Sequence, residues 1–409
     1  MKPCDRSAVK PLTGARRIET IAILGALMAF APLSNDMYLP ALPAIARDFQ
    51  SSIGAIEHTV AAGLLGLCLG QSVFGPLTDR FGRRAPLYGG LVLFAAASAA
   101  CALCQGAGWL TGLRFVQAVG ACACVVIARA CVRDLFPPDE GARIFSYTML
   151  VLGMAPLLAP LIGGYLLVSF GWQSIFVLQC AIGGLVLGAV YIRLPAAHGG
   201  SARAMHPLQI LRDYRAILAD RRFLAFSLAG GISNAGMFAY ITGSPHVFID
   251  LFHVPAQDFG WFFGANALGI VVFSQLNARL LRRRRTRRVL LTAQLFQSAF
   301  GVLLLAVSAG GFGGVWGIEL GLFGYVALTG AVMPSAIGLA LRSFGSSAGM
   351  AAALFGTLQF AAATIASVIV GVLPSGSALP MSAVVAGSGT LALLLHVVLS
   401  PVAELRADA

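Results

Sequence analysis

The chain has 409 residues, of which 58% are hydrophobic and only 11% charged, with a mean hydropathy of +0.84; soluble domains carry about 25% charged residues. Such a composition excludes an ordinary soluble protein and predicts a polytopic membrane protein. The net charge of +12 is read as a topology signal before a sign of an anionic partner, because its basic runs are flanked on both sides by apolar segments, so no nucleic-acid partner is expected.

Roughly 20 apolar residues cross a bilayer as a helix. Runs of that length fall near Thr20–Leu42, Ile56–Leu77, Pro86–Leu103, Leu110–Ala130, Ile144–Val168, Ser174–Ile192, Leu224–Phe248, Phe259–Leu280, Val289–Ala309, Val315–Leu341, Ser347–Leu373 and Leu379–Val402, which predicts twelve spans. They are continuous and do not alternate over short strands, so an all-α membrane protein is expected and not a barrel. The expected domains are a tail at 1–19, a six-helix bundle at 20–194, a polar arginine-rich linker at 195–222, a second six-helix bundle at 223–402 and a tail at 403–409. Weak echoes relate the halves: the turn at Asp79–Arg84 to that at Arg279–Arg288, and Gly153-Met154-Ala155 to Gly349-Met350-Ala351.

In chain order, the basic tail leads into a full-length first span, read as a retained helix and not a cleaved signal. That span contains Asn35-Asp36-Met37-Tyr38-Leu39-Pro40. A carboxylate at a helix centre costs on the order of 3 kcal/mol on insertion scales, so Asp36 is expected to face protein or a water-filled cavity. Pro40 leaves the Asp36 carbonyl, and Pro32 the Met28 carbonyl, without a helical donor, which predicts a kink. The expectation is that Asp36 binds and releases a proton or binds substrate; the plainer alternative is a structural polar contact.

Between spans 2 and 3, Gly75, Asp79, Arg80, Gly82, Arg83 and Arg84 make a compact charged turn, either a latch between helix ends or simply a loop held inside by its arginines. All eight cysteines lie in the first half, with Cys101 and Cys104 in CxxC spacing; without a second pair or a histidine in that span, packing is favoured over a redox pair and no metal is expected. In span 4, Arg114 is the arginine well inside an apolar run. Counting 1.5 Å per residue puts Asp36 about 9 Å and Arg114 about 6 Å from the outer ends of their spans, so the two could pair, unless Arg114 snorkels outward. Glu57 and Glu319, within about a turn of the outer ends, are expected to be reached by water. Gly153, Pro156, Pro160, Gly163 and Gly164 give span 5 a smooth, bendable face. Asn35, Tyr38, Gln117, Phe238, Tyr240 and Gln359 are the candidates for contact with a small-molecule substrate.

All of the 28 Lys and Arg except Arg47 and Arg114 fall on one side of this topology, so both termini, the linker and the even-to-odd loops are expected in the cytoplasm. Arg279, Arg282 to Arg285, Arg287 and Arg288 would also meet anionic lipid.

These stretches together resemble the Bcr/CflA family of drug-resistance transporters, in the drug:proton antiporter branch of the major facilitator superfamily. Asn35 to Pro43 is similar to its first-helix signature, Gly70-Gln71 through Gly75-Pro76 to Arg84 to its loop motif, Arg114 to Gly120 to the fourth-helix motif, Ala155 to Gly164 to the fifth-helix antiporter motif, and Ala235-Gly236-Met237-Phe238 to a segment of span 7. The resemblance implies proton-driven export of small drugs or metabolites across the inner membrane by a cofactor-free transporter, expected to act as a monomer, with Asp36 as proton site and Arg114 as its electrostatic partner. It further implies that Asp79 meets the start of helix 11 around Ser346 and Ser347, and that Arg83 pairs with Asp134. Ala155 and Ala159 depart from the glycines common in that motif.

Proton-coupled uptake is the alternative within transporters, since direction depends on which state binds substrate more tightly. An enzyme is not expected: the chain's lysines are Lys2 and Lys10, so no P-loop exists, and its six histidines form no HExxH.

Overall fold

Apolar runs in a bilayer must satisfy their backbone groups internally, and they do so here as helix. The computed structural model describes residues 14–136, 138–194, 207–344, 348–374 and 376–399. Twelve long helices form: α1 Gly14–Asp36, α2 Ile53–Phe81, α3 Arg84–Ala102, α4 Ala107–Leu135, α5 Pro138–Phe170, α6 Gln173–Arg193, α7 Arg221–Pro245, α8 Phe259–Leu280, α9 Thr286–Gly310, α10 Gly314–Leu341, α11 Ala348–Val372 and α12 Leu379–Leu399. Eleven are long and apolar enough to cross a membrane over their described residues, and α5, with an apolar stretch at Met154–Phe170, completes the set. Polar side chains mark some starts: Ser52 Oγ accepts from Ala55 N at 3.3 Å ahead of α2, and Asp220 Oδ1 accepts from Phe223 N at 2.9 Å ahead of α7.

Three local features differ from expectation. The first span does not merely kink at Pro40: α1 stops at Asp36, a single 3₁₀ turn spans Leu39–Ala41, and a short helix runs Leu42–Asp48. Two prolines three residues apart, Pro40 and Pro43, remove successive donors, which breaks the ladder where one proline would have bent it. Trp172 Nε1 then anchors the short helix by donating to Asp48 Oδ2 at 2.8 Å.

Second, the charged turn after span 2 is mostly helix. Residues 75–81 belong to α2, and only Gly82 and Arg83 separate it from α3. Gly82 has φ +77°, a conformation glycine adopts freely and other residues rarely. Gly75 has open space around it, so close packing does not explain that glycine. Third, the polar linker contains a helix at Pro207–Ala219. Tyr214 and Ile217 pack it onto an apolar cluster that includes Phe223 and Phe355, while Arg212 and Arg215 face outward.

Helices α1 to α6 pack chiefly on one another, as do α7 to α12, and the halves meet along two seams, α2 with α11 and α5 with α8. Ser72 and Thr357 hydroxyls lie 3.0 Å apart in the first seam. In the second, Gly260 and Gly264 receive the side chains of Leu161 and Leu157. The apolar core is shared unequally. One cluster joins both halves, with Tyr38, Ile56, Tyr240, Phe263 and Ala363; the other two are confined to single halves, around Leu24 to Leu194 and Ile217 to Phe355. The joined cluster lies toward the loops that follow odd-numbered helices, and the separate ones toward the linker. Outward-facing Leu65, Val92, Leu185, Leu268 and Leu295 give the surface the apolar character that lipid requires.

Candidate functional site

Between the halves lies a cavity of about 320 Å³. Asn35 and Asp36 line one wall, and Phe238, Tyr240, Phe263 and Asn266 the other, with Arg129 and Gln71 also exposed to it. Its lining is predominantly apolar with a few directed polar groups, the usual constitution of a small-molecule site. Asp36 reaches it because α1 ends at that residue; only 6% of its surface is exposed.

Behind Asp36, Arg114 is 0% exposed, so it does not snorkel outward. Nor does it pair with Asp36: it makes no ion pair with any described carboxylate. Its Nη1 donates to Ser34 Oγ at 3.2 Å and to Gln117 Oε1, and its Nη2 to Asn35 Oδ1 at 3.5 Å. The guanidinium carbon sits 4.0 Å from the centre of the Tyr38 ring, a cation–π geometry. Gln117 Nε2 donates in turn to Ser98 Oγ at 2.6 Å and Gln179 Oε1 at 2.7 Å, and Gln179 Nε2 to the Leu33 carbonyl at 3.1 Å. Asp36 remains within electrostatic range of Arg114, separated from it by this neutral network.

The substrate candidates therefore divide. Asn35, Phe238 and Tyr240 line the cavity. Gln117 and Tyr38 do not; each is 0% exposed and occupied with Arg114, Tyr38 also sharing a 3.2 Å hydrogen bond with Thr59. Gln359 lies with its backbone against Gly231 and outside the lining. Glu57 and Glu319 are only 3% and 8% exposed, which corrects the expectation that water reaches them: helix-packing partners cover their positions despite their nearness to helix ends.

At the turn after α2, Arg83 Nε forms an ion pair with Asp134 Oδ2 at 2.9 Å, and its Nη1 donates to Thr78 Oγ1 at 3.0 Å. Arg84 Nη2 donates to the Leu194 carbonyl at 2.9 Å, and Arg80 lies 5.3 Å from the centre of the Phe81 ring. The expected contact of Asp79 with Ser346 and Ser347 falls outside the described residues. In α5, the helix runs through Pro156 and Pro160. Gly163 and Gly164 press directly on the carbonyls of Met37 and Ala256, where any side chain would collide, and Gly153 is helical.

Sequence reasoning missed Arg129, Asn266 and Gln179, and named Gln71 only within the loop motif and not as part of the cavity wall. Arg129 sat one residue from the expected end of span 4, yet α4 continues to Leu135. Asn266 and Gln179 carried a usable signal, an amide inside an apolar run.

Two bundles seamed around a central cavity, with a buried carboxyl on its wall, are the architecture of a secondary transporter. The chain belongs to the Major Facilitator Superfamily, whose model matches residues 24–402. Within it the chain groups with the Bcr/CflA drug-resistance transporters: it is 31% identical to the bicyclomycin resistance protein homolog of Haemophilus influenzae, over 88% of this chain and 91% of that one. It is also 33% identical to the uncharacterized MFS-type transporter YdgK of Bacillus subtilis, over 91% and 93% of the respective chains. Its fold matches that of the xylose transporter XylE from E. coli in a partially occluded inward open conformation, with a TM-score of 0.72 and 15% identity over 95% and 98% of the two chains.

Proposed function

We propose that this transporter exports small drugs or related metabolites across the bacterial inner membrane in exchange for protons. The observation that carries this is Asp36, a carboxyl at the C-terminal end of α1 on the wall of an apolar cavity. The negative end of the helix dipole repels a carboxylate there, so a proton or a substrate cation relieves the same position, and the two compete. Arg114 supplies a fixed opposite charge that keeps the proton exchangeable. Similarity to a bicyclomycin resistance protein supports export over uptake.

Alternating access follows from the two seams. With the core joined on one face and divided on the other, the halves are positioned to rock about the cavity. The distribution of basic residues supports placing the termini and the divided face in the cytoplasm, and the division of the core on that face supports reading this as an inward-facing state. The pairing of Arg83 with Asp134 ties α3 to the end of α4 on that face, as part of a latch. The boundaries at 195–222 separate the two moving bodies.

Inverted membrane vesicles test the reading. Bicyclomycin or another compound from a susceptibility panel should accumulate when a proton gradient is imposed and leak out when it is collapsed; accumulation indifferent to the gradient for every compound would reject proton-coupled export.

A further inference from the structure

We propose that Glu319 is a second proton-binding site, held in the C-terminal bundle and joined to the cavity through Asn266 and Tyr240. The inference rests on the antiporter reading above. Glu319 lies on α10 and is 8% exposed. Asn266 Nδ2, from α8, donates to Glu319 Oε1 at 3.0 Å and to the Tyr240 hydroxyl, from α7, at 3.2 Å. Both Asn266 and Tyr240 line the cavity, and Tyr240 is within electrostatic range of both Glu319 and Asp36.

Two acceptors in this cluster, Glu319 Oε2 and Asn266 Oδ1, are buried without a hydrogen-bond partner. Orphaned buried acceptors are expensive, and a charged one more so. One proton on Oε2 cures both defects: it neutralises the carboxylate and supplies the donor that the acid–amide pair lacks. Among the described residues no cation forms an ion pair with Glu319. Helix α10 packs against α7, α8, α9 and α11; the basic residues on those helices, Arg221, Arg222, Arg279, Arg287 and Arg288, sit at the opposite helix ends, and α11 carries no titratable side chain. The remaining ionisable groups of this bundle toward this end are Tyr240, Tyr325, whose hydroxyl donates to the Ser233 carbonyl at 2.9 Å, and His246, Asp250, His253 and Asp258 beyond the helix ends. Glu57 differs, since it lies within electrostatic range of His246.

The step is a simple transfer. When Asn266 and Tyr240 shift and open a path from the cavity, a hydronium ion gives its proton to Oε2, one O–H bond breaking on the hydronium to leave water and one forming on the carboxyl; the reverse transfer to water follows when Asn266 and Tyr240 are drawn to substrate. The cavity then has one exchangeable carboxyl from each bundle, and a cycle using both moves two protons.

Infrared pH titration of the full-length protein in liposomes reads this through the protonated-carboxyl carbonyl band, without a substrate. Glu319→Gln should delete one component of the band and Asp36→Asn a different one, while the Glu57 component persists in both. Asn266→Ala should move the midpoint of the Glu319 component by about one pH unit or more, and Tyr240→Phe should move it also. A Glu319→Gln spectrum that titrates like the parent would overturn the proposal, as would a midpoint unmoved by both neighbour substitutions. If Glu319→Gln does not fold, the two neighbour variants decide. Continued proton-driven export by Asp36→Asn would sink the role of Asp36 and leave the Glu319 component in place, so the two failures are distinct.

Discussion

At the scale of single residues, Asp36 and Arg114 are separable, because the guanidinium is held by Ser34, Gln117 and Asn35 and not by the carboxylate. Asp36→Asn should leave the fold near normal, weaken the binding of cationic substrates while sparing neutral ones, and abolish proton-gradient-driven efflux, measured in vesicles beside binding to the purified protein; full resistance in a pump-deficient host would contradict it. Arg114→Lys keeps the charge but not the planar fork that serves several acceptors at once. Each acceptor left unpaired costs about 1–3 kcal/mol, so the thermal midpoint in detergent should fall clearly, and further in Arg114→Ala. The pH dependence of transport should shift in both, since the fixed charge near Asp36 is displaced or lost.

Helix ends decide the element scale. Gly82 holds φ +77° and ψ 178° between α2 and α3, a region essentially closed to other residues, where a side chain costs about 1–3 kcal/mol. Gly82→Ala should therefore weaken the turn and the Arg83–Asp134 pair it positions, slowing transport more than it lowers affinity; equal loss of both would argue against a latch. At the break after Asp36, α5 comes into near-contact with the chain, where Gly163 meets the Met37 carbonyl. Gly163→Val forces those backbones apart, and the expected outcome is loss of transport with a destabilised fold, read by vesicle assay and thermal melting.

For the whole molecule, the shared core on one face and the two seams, α5–α8 and its companion, must separate if the halves rock. In a cysteine-depleted background, Ser72→Cys with Thr357→Cys places two thiols across the companion seam of α2 with α11, where the hydroxyls lie 3.0 Å apart. Oxidative cross-linking should stop transport, and reduction should restore it; an oxidised pair that still transports would mean that the seam does not open during the cycle.

A twelve-span helical membrane protein in two halves is legible in the residue order alone, because bilayer thickness and backbone satisfaction leave few choices for long apolar runs. The same order singles out Asp36 and Arg114, since ionisable groups in such runs stand out against a uniform background. Spacing along one helix says nothing about rotation toward another, which is set by packing. Arg114 turned to Ser34 and Gln117, Gln117 and Tyr38 turned away from the cavity, Asn266 and Arg129 turned into it, and Glu319, near a helix end and seemingly open to water, was sealed by the helices packed around it. Those outcomes depend on which faces of distant helices meet, a property of packing between segments that no local pattern carries.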